Sequence, residues 1–330
     1  MWRRALPWLL LVGLLGSSLL GGVLFGAERL DLTRALSDPE SLQGVMFWKA
    51  RLPRVLLAAL AGGALSVVGV ALQALLRNPL ADPYVLGVSG GAAAGATLAL
   101  VAGASAFTVV GAALVPAAAL AGGLVATFVV YAIARASGDL SGTTIVLAGV
   151  IVNAIAASVI TFVKTLVSAA KAQELLFWLM GFLDVPSVPQ LIVCAIWVAA
   201  GTGLLLYDSG RLNLLALGKE PAAHLGVEVR RVEQRIFVAS SAITGAVVSL
   251  TGLIGFVGLI VPHATRRLLG PDHRVTLPAA FILGASTLVA CDLVARAAFR
   301  YLGTEPPVGA ITALVGGPLF LLILQRRRAA

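Results

Sequence analysis

The chain has 330 residues, of which 59% are hydrophobic and 12% charged, about half the charged share of an ordinary soluble domain; its mean hydropathy is +0.99. That composition excludes a soluble globular protein and places nearly the whole chain in or beside a lipid bilayer. The net charge of +9 is scattered between apolar runs, so it reports membrane topology and argues against nucleic-acid binding.

Residues 5–27 follow Met-Trp-Arg-Arg without a charge. The run is too long for the core of a signal peptide and no A-x-A site follows it, which predicts an uncleaved first span. A span needs about 20 apolar residues, and further uncharged runs meet this at 55–76, 140–163, 185–207 and 306–325. The run 83–134 has room for two helices with a turn near 103–108, and 275–291 predicts a span continuing past Asp292. Residues 236–265 are interrupted by Gly252, Gly255, Gly258 and Pro262, and divide into a span over 236–251 and a shorter one over 254–267. The total is ten.

Charge tests that division. With ten spans and the N-terminus inside, the segments 1–4, 77–82, 135–139, 208–235, 266–274 and 326–330 hold 15 of the 24 Lys/Arg. One span over 236–265 would leave only 11 inside, against the positive-inside rule. The sequence therefore predicts an all-α polytopic protein, one transmembrane domain over 1–330, with ten spans and both termini in the cytoplasm.

The segment 208–235 divides this domain into 1–207 and 236–330. Arg54 followed by VLLAALAGGALSVVG and Arg235 followed by IFVASSAITGAVVSL begin the two halves similarly but on opposite sides, as an inverted repeat requires. Within 208–235 the pattern predicts two short helices. One covers 212–217 and stops at Gly218; the other covers 221–225, with Pro221 in its first turn and Gly226 as its stop. Such a pair suits a docking surface for a soluble partner, and a solvated linker is the alternative. Two small-residue stripes, Gly87–Gly91–Gly95–Gly103 with Ala99, and Gly309–Ala313–Gly317, predict close helix packing. Outside the membrane, 28–54 carries four acids and five bases, and 164–184 holds a short interfacial helix with Phe177 and Trp178 at the membrane surface.

No constellation for catalysis, metal or cofactor is present. Gly218-Lys219-Glu220 lacks the rest of a nucleotide-binding loop. Cys194 and Cys291 lie in apolar runs, and His224, His263 and His273 have no carboxylate or cysteine grouping around them. Asp292 and Arg296 stand one helical turn apart, the spacing of an internal ion pair that makes polar side chains tolerable there. Asn153 shares a face with Gly149, Ala157 and Thr161, where it either bonds a neighbouring helix or lines a path. The absence of acidic or histidine relays argues against proton coupling and for an importer driven from outside the chain.

Three motifs carry a family resemblance. They are RLPRVLLAALAGGALSVVGVALQALLRNPLADPYVLGVSGGAAAGA at 51–96, LALGKEPAAHLGV at 215–227, and GFVGLIVPHATRRLLGPDHRVTLPAA with LGASTLVACDLVAR at 255–296. The chain resembles, over essentially its whole length, the FecCD-type permeases of type II ABC importers, which include ferric-siderophore, haem and cobalamin systems. The resemblance implies ten spans per subunit in a homodimer in the bacterial inner membrane. It further implies two separate cytoplasmic ATPase subunits and a periplasmic substrate-binding protein, and no nucleic-acid partner. Matched residue by residue, the family's coupling helices fall on Leu215, Leu217, Gly218, Lys219, Glu220, Pro221, Leu225 and Gly226. The outer arginines that meet the binding protein match Arg51 and Arg296. The cytoplasmic gate matches Asn78, Leu80, Gly142 and Thr143, although Gly142 stands where the cobalamin branch has a hydroxyl residue. The path would follow the dimer axis between the fifth and tenth spans, with Gly149, Asn153 and Ala157 as candidate lining residues. The implied cargo is a metal chelate, ferric siderophore or haem first and cobalamin second. Two other classes stay open. A proton-coupled secondary transporter would work alone and fail with an uncoupler, and a non-transporting scaffold would show no substrate-dependent ATPase activity.

Overall fold

The computed structural model describes residues 2–26, 28, 30–104, 111–136 and 142–328, and most of the expected turn near 103–108 falls outside them. Helix α1 (Trp2–Leu24) is followed by α2 (Leu32–Ser37), α3 (Leu42–Val45) and a π-helical turn, Met46–Arg51, that runs straight into α4 (Leu52–Leu75). A 3-10 turn, Pro83–Leu86, leads to α5 (Val88–Val101), then α6 (Gly111–Ala136) and α7 (Gly142–Thr165). Next come α8 (Ala169–Leu179) and α9 (Val188–Tyr207), and the charged middle segment folds as α10 (Ser209–Leu215) and α11 (Lys219–His224). The remainder is α12 (Val229–Thr251), α13 (Val257–Leu269), α14 (His273–Leu302) and α15 (Val308–Arg328). No strand occurs among the described residues.

Ten of these helices stand where ten spans were expected, but they are not equivalent. By length and composition, α1, α4, α6, α7, α9 and α14 can each cross a membrane unaided. Helices α5 and α13 have only 14 and 13 residues, about 20 Å of helix against a hydrocarbon core of about 30 Å. Helix α12 starts seven residues earlier than expected, because Arg230, Arg231, Glu233 and Arg235 extend the helix beyond its apolar part. The expected interfacial helix is α8, whose N-terminus is capped by Ser168 Oγ accepting from the Lys171 amide.

Helix α4 is the central post. Its apolar window is 83% buried inside the protomer, whereas that of α1 is 11% buried. It packs on α14, α13 and α12, while α12 in turn packs on α5 and α6. This is the exchange of partners that a repeat of five helices plus five produces. One apolar core runs through both halves, from Val55 to Val308.

Glycine makes the closest contacts possible. A Cβ at Gly69 would sit 1.9 Å from the Gly258 carbonyl oxygen, and one at Gly62 would sit 2.2 Å from that of Gly284. In the first small-residue stripe, Gly91 and Gly95 meet the backbone of α6 at Gly122 and Ala118, but Gly103 faces open space. In α15 the tight positions are Gly309 and Gly316, against Met180 and Phe256, while Gly317 is loosely packed. An eight-residue step turns about 80° round a straight helix whereas a seven-residue step returns almost to the same face, so the expected Gly309–Ala313–Gly317 stripe drifts out of the contact.

Candidate functional site

Functional candidates lie at both ends of the bundle and at the helix breaks between them. Helices α4 and α14 are antiparallel and set the scale. Arg51, Arg54, Asp292 and Arg296 share one end, while α10 packs on α14 and α4 at the other. The 24 residues of α4 separate the two by about 36 Å.

At the α10–α11 end, Asp208 is fully buried and accepts from both Arg211 and Arg235, which fixes α10 to α12. Asn213 on α10 donates to Asp272 at 2.7 Å and accepts from the His273 amide at 2.9 Å, so the same helix is tied to the start of α14. The hydrogen bond from Asn213, and after it the one from the Arg274 amide, hold the Asp272 carboxyl below its ordinary range. The pair of helices agrees with expectation in place but not in detail. Helix α10 ends at Leu215, and Gly218 (φ +129) precedes α11 instead of stopping α10. Pro221 lies within the first turn, where its missing N–H costs nothing, and Gly226 is left-handed at φ +83.

Their side chains divide into two groups. Leu217 and Leu225 are 66% and 60% exposed, an apolar pair on a pinned scaffold. Leu215 is 4% exposed and belongs to the core, so its assignment to an outward contact is corrected: its position on α10 points it at the bundle. Lys219 is turned inward too, pairing with Glu233 of α12 at 2.8 Å. Glu220 lies in the first turn of α11, where an acid suits the helix dipole.

At the opposite end, Arg51 and Arg296 are 8% and 7% exposed. Arg51 donates to the carbonyls of Val23 and Leu24, both at 2.9 Å, and to that of Glu28. Arg296 donates to Gly22 at 2.7 Å and Phe25 at 3.1 Å, and its Nε pairs with Asp292 at 2.9 Å. Together they satisfy the orphan carbonyls that end α1. These guanidinium groups are structural caps, and little of either is left exposed for the docking role expected of them. Sequence reasoning missed Arg54. It donates through Nε to fully buried Asp292 at 2.9 Å, pairs with Glu305 and lies over the Phe182 ring at 5.7 Å. The signal was present in RLPR, whose two arginines sit three residues apart on one helical face. Beside this cluster is a cavity of about 520 Å³ whose walls include Phe177, Trp178 and Phe182, with Glu174, Asp184 and Glu305 also lining it.

Between the ends, two segments outside the α-helices meet. Residues 252–256 drop from α12 to α13, and 77–87 join α4 to α5. Tyr84 ties them: its hydroxyl donates to the Ile254 carbonyl at 2.8 Å and accepts from the Ile254 amide at 2.6 Å. Backbone away from regular structure at membrane depth is tolerated only when protein satisfies it. Tyr84 supplies both partners here. Tyr84→Phe is therefore expected to lower the melting temperature of the detergent-purified chain, since it leaves a buried N–H and C=O unpaired at about 1–3 kcal/mol each. An unchanged melting curve would show that water replaces the hydroxyl.

Asn153 resolves the same way. Its Oδ1 accepts from the Gly90 amide at 3.0 Å and its Nδ2 donates to the Tyr84 carbonyl at 2.9 Å. One end of its amide is committed to the first turn of α5 and the other to the turn before it, so the geometry favours the helix-bonding role over the path-lining one. Gly149 is buried, while Ala157, about two turns further along the same helix, is exposed on the flank of the protomer. Of the expected gate residues, Asn78 accepts from the Leu80 amide at 2.9 Å in a tight turn that leaves the Leu80 side chain exposed. Gly142 begins α7, and Thr143 next to it is exposed. Arg77, immediately before Asn78, and Phe256, immediately before α13, are the non-glycine residues with positive φ among those described, at +48° and +69°. Strained backbone thus flanks both segments.

The sequence matches the FecCD transport family over residues 9–326. It is 43% identical over 289 residues to the cobalamin import system permease protein BtuC of Halobacterium salinarum, covering 88% of this chain and 75% of that one. It is 37% identical over 279 residues to the hemin transport system permease protein HmuU of Yersinia pestis, covering 84% and 82%. A solved structure of a metal-chelate type ABC transporter in an inward-facing conformation superimposes with a TM-score of 0.84 at 29% identity, covering 98% of this chain and 99% of that one.

Proposed function

The chain belongs to the FecCD transport family, and from that premise we propose that it is the membrane permease subunit of an ATP-driven importer whose cargo is a metal macrocycle, haem or a corrinoid. The observation that carries the reading is the α10–α11 pair. Two exposed leucines, Leu217 in the bend between α10 and α11 and Leu225 at the end of α11, stand on this helix pair. The Asp208–Arg235 ion pair holds it against α12, and the Asn213–Asp272 hydrogen bond holds it against α14. A rigid apolar knob at one end of a bundle is what a separate ATPase needs in order to move the bundle. A solvated linker needs neither the leucines nor the pinning.

The remaining assignments follow from the same reading. The α10–α11 end faces the cytoplasm with both termini, and the Arg51–Arg296 end faces the periplasm, where acidic groups of a binding protein meet the arginine rims. The whole chain works as one domain and pairs with a second copy. The exposed flank of α7, with Leu147, Ile151 and Ile155, and that of α15, with Leu314 and Leu321, supply apolar area for that contact. Asn78, Leu80, Gly142 and Thr143 form the cytoplasmic gate. The sequence resemblance puts ferric siderophores and haem ahead of cobalamin; relatives named for hemin and for cobalamin import support counting the corrinoid beside haem.

Reconstitution tests the proposal. Vesicles containing the chain, its ATPase and its binding protein should take up cyanocobalamin or haemin only when ATP is enclosed on the ATPase side, and an uncoupler should not stop them. Uptake by the chain alone, abolished by an uncoupler, would identify a secondary transporter instead.

A further inference from the structure

The outward flank of α9 is apolar, with Ile192, Ile196 and Trp197 exposed along it. It ends at Tyr207, which is exposed at the end of the helix. Immediately beyond lies an arrangement that pinning α10 does not require. The Arg235 guanidinium grips buried Asp208 with two bonds, Nε to Oδ2 at 2.7 Å and Nη2 to Oδ1 at 2.8 Å. Arg211 adds a third at 2.5 Å. Both guanidinium groups then lie over the Tyr207 ring, at 4.8 and 5.9 Å from its centre. Arg274, exposed at the start of α14, packs its guanidinium on Gly210 beside them.

Two arginines share one carboxylate, so the cluster keeps a positive charge, and Arg274 adds another. The side chains of Arg211 and Arg235 remain 39% and 33% exposed, which leaves N–H donors facing outward. Those donors are already oriented, because the inner edge of each fork is fixed on Asp208 and its plane rests on an aromatic ring. A planar fork of this kind matches phosphate oxygens two at a time. The position selects the phosphate's source. The cluster stands where a lipid-facing helix flank reaches its interfacial aromatic residue, which is the depth of phospholipid headgroups.

We propose that Tyr207, Arg211 and Arg235, with Arg274 at the edge, bind the headgroup of an anionic phospholipid in the adjoining leaflet. Its acyl chains lie along the exposed flank of α9 and its phosphate bridges the two guanidinium groups. The bound lipid would thereby brace the α9–α10–α12 junction from outside while Asp208 braces it from within. The site is separate from Leu217 and Leu225, and the assignment to the inner leaflet rests on the cytoplasmic placement proposed above.

Native mass spectrometry of the purified chain, titrated with phosphatidylglycerol or phosphatidylcholine, tests the idea. Wild-type protein should retain phosphatidylglycerol preferentially. Arg211→Gln keeps Asp208 paired with Arg235 and should reduce that preference about fivefold, the effect of one basic residue at a membrane surface. Tyr207→Leu keeps the apolar flank but removes the ring, and should also reduce it, which covers the case of a poorly folded Arg211→Gln chain. Arg267→Gln, an exposed arginine on α13, should leave it unchanged. Inorganic phosphate should not compete at millimolar concentration. Equal retention of the two lipids by wild-type protein, unchanged preference in both cluster variants, or full competition by phosphate overturns the proposal. Sidedness is read separately, from labelling of an Arg230→Cys variant with a membrane-impermeant thiol reagent, so an error in topology would not be mistaken for an absent site.

Discussion

Leu217→Asp is expected to give a chain that inserts and folds normally but no longer copurifies with its ATPase. Leu217 is exposed in the free protomer, in the bend between α10 and α11 where its own amide bonds the Leu214 carbonyl at 3.1 Å. The fold therefore loses nothing when the side chain is replaced. A partner surface that covers it would have to bury a carboxylate without a counter-charge. Central apolar contacts of this kind are worth about 2 kcal/mol or more, roughly 30-fold in affinity, before the cost of the buried charge is added. Leu215→Asp should behave oppositely, because Leu215 lies in the core: that chain should fail to accumulate. Lys219→Ala should loosen α11 through loss of the Glu233 pair, with partial retention of the ATPase. If the Leu217→Asp chain keeps its ATPase and transports normally, 208–235 is only a linker.

Asp292→Ala should be the most damaging single substitution at the opposite end. The carboxylate is fully buried and is shared by Arg54 and Arg296. Its removal leaves two buried guanidinium groups sharing no carboxylate there. Breaking a buried pair from one side costs about 3–5 kcal/mol. The melting temperature of the detergent-purified chain should fall well below that of Asp272→Ala, which removes an exposed cap worth about 1 kcal/mol. Similar melting temperatures for the two variants would show that Glu305 alone neutralises the cluster. The same network changes what charge reversal at Arg296 means. Arg296→Glu would set a carboxylate beside Asp292 and the carbonyls that end α1, so it unfolds this end before it informs on docking. Arg296→Lys keeps the charge and is the better probe.

Much of the architecture was legible because a bilayer imposes a simple code. Uncharged runs located ten helices, and the arginine count chose the division at Gly252–Pro262 over a single span. Glycine and proline placed α10 and α11 to within a few residues. What could not be read was which side chain faces which neighbour. Leu215 and Leu217 are the same residue type two positions apart, yet Leu215 closes α10 on the core and Leu217 lies in the bend beyond it, exposed. Arg54 and Asp292 are 238 residues apart, and nothing local announces their contact. Asn153 had two roles in the sequence, and only the proximity of Gly90 and Tyr84 decided between them. The gate and docking residues entered through resemblance alone, since nothing in their own spacing or chemistry singles them out.

The shortness of α5 and α13 bears on how the chain is made. A ribosome feeding a translocon delivers α13 before α14 exists, and 13 residues cannot bridge the hydrocarbon core by themselves. Four of them, His263, Thr265, Arg266 and Arg267, are polar or charged, which raises the cost of partitioning alone. Its close approach to α4 at Gly69 and its packing on α14 mean that α13 settles as the first member of a hairpin, entering with α14 against an α4 already in place. The unit of insertion is thus the pair, and a released chain truncated after residue 270 and carrying Leu259→Cys should react there with a membrane-impermeant thiol reagent, whereas one truncated after residue 305 should be shielded.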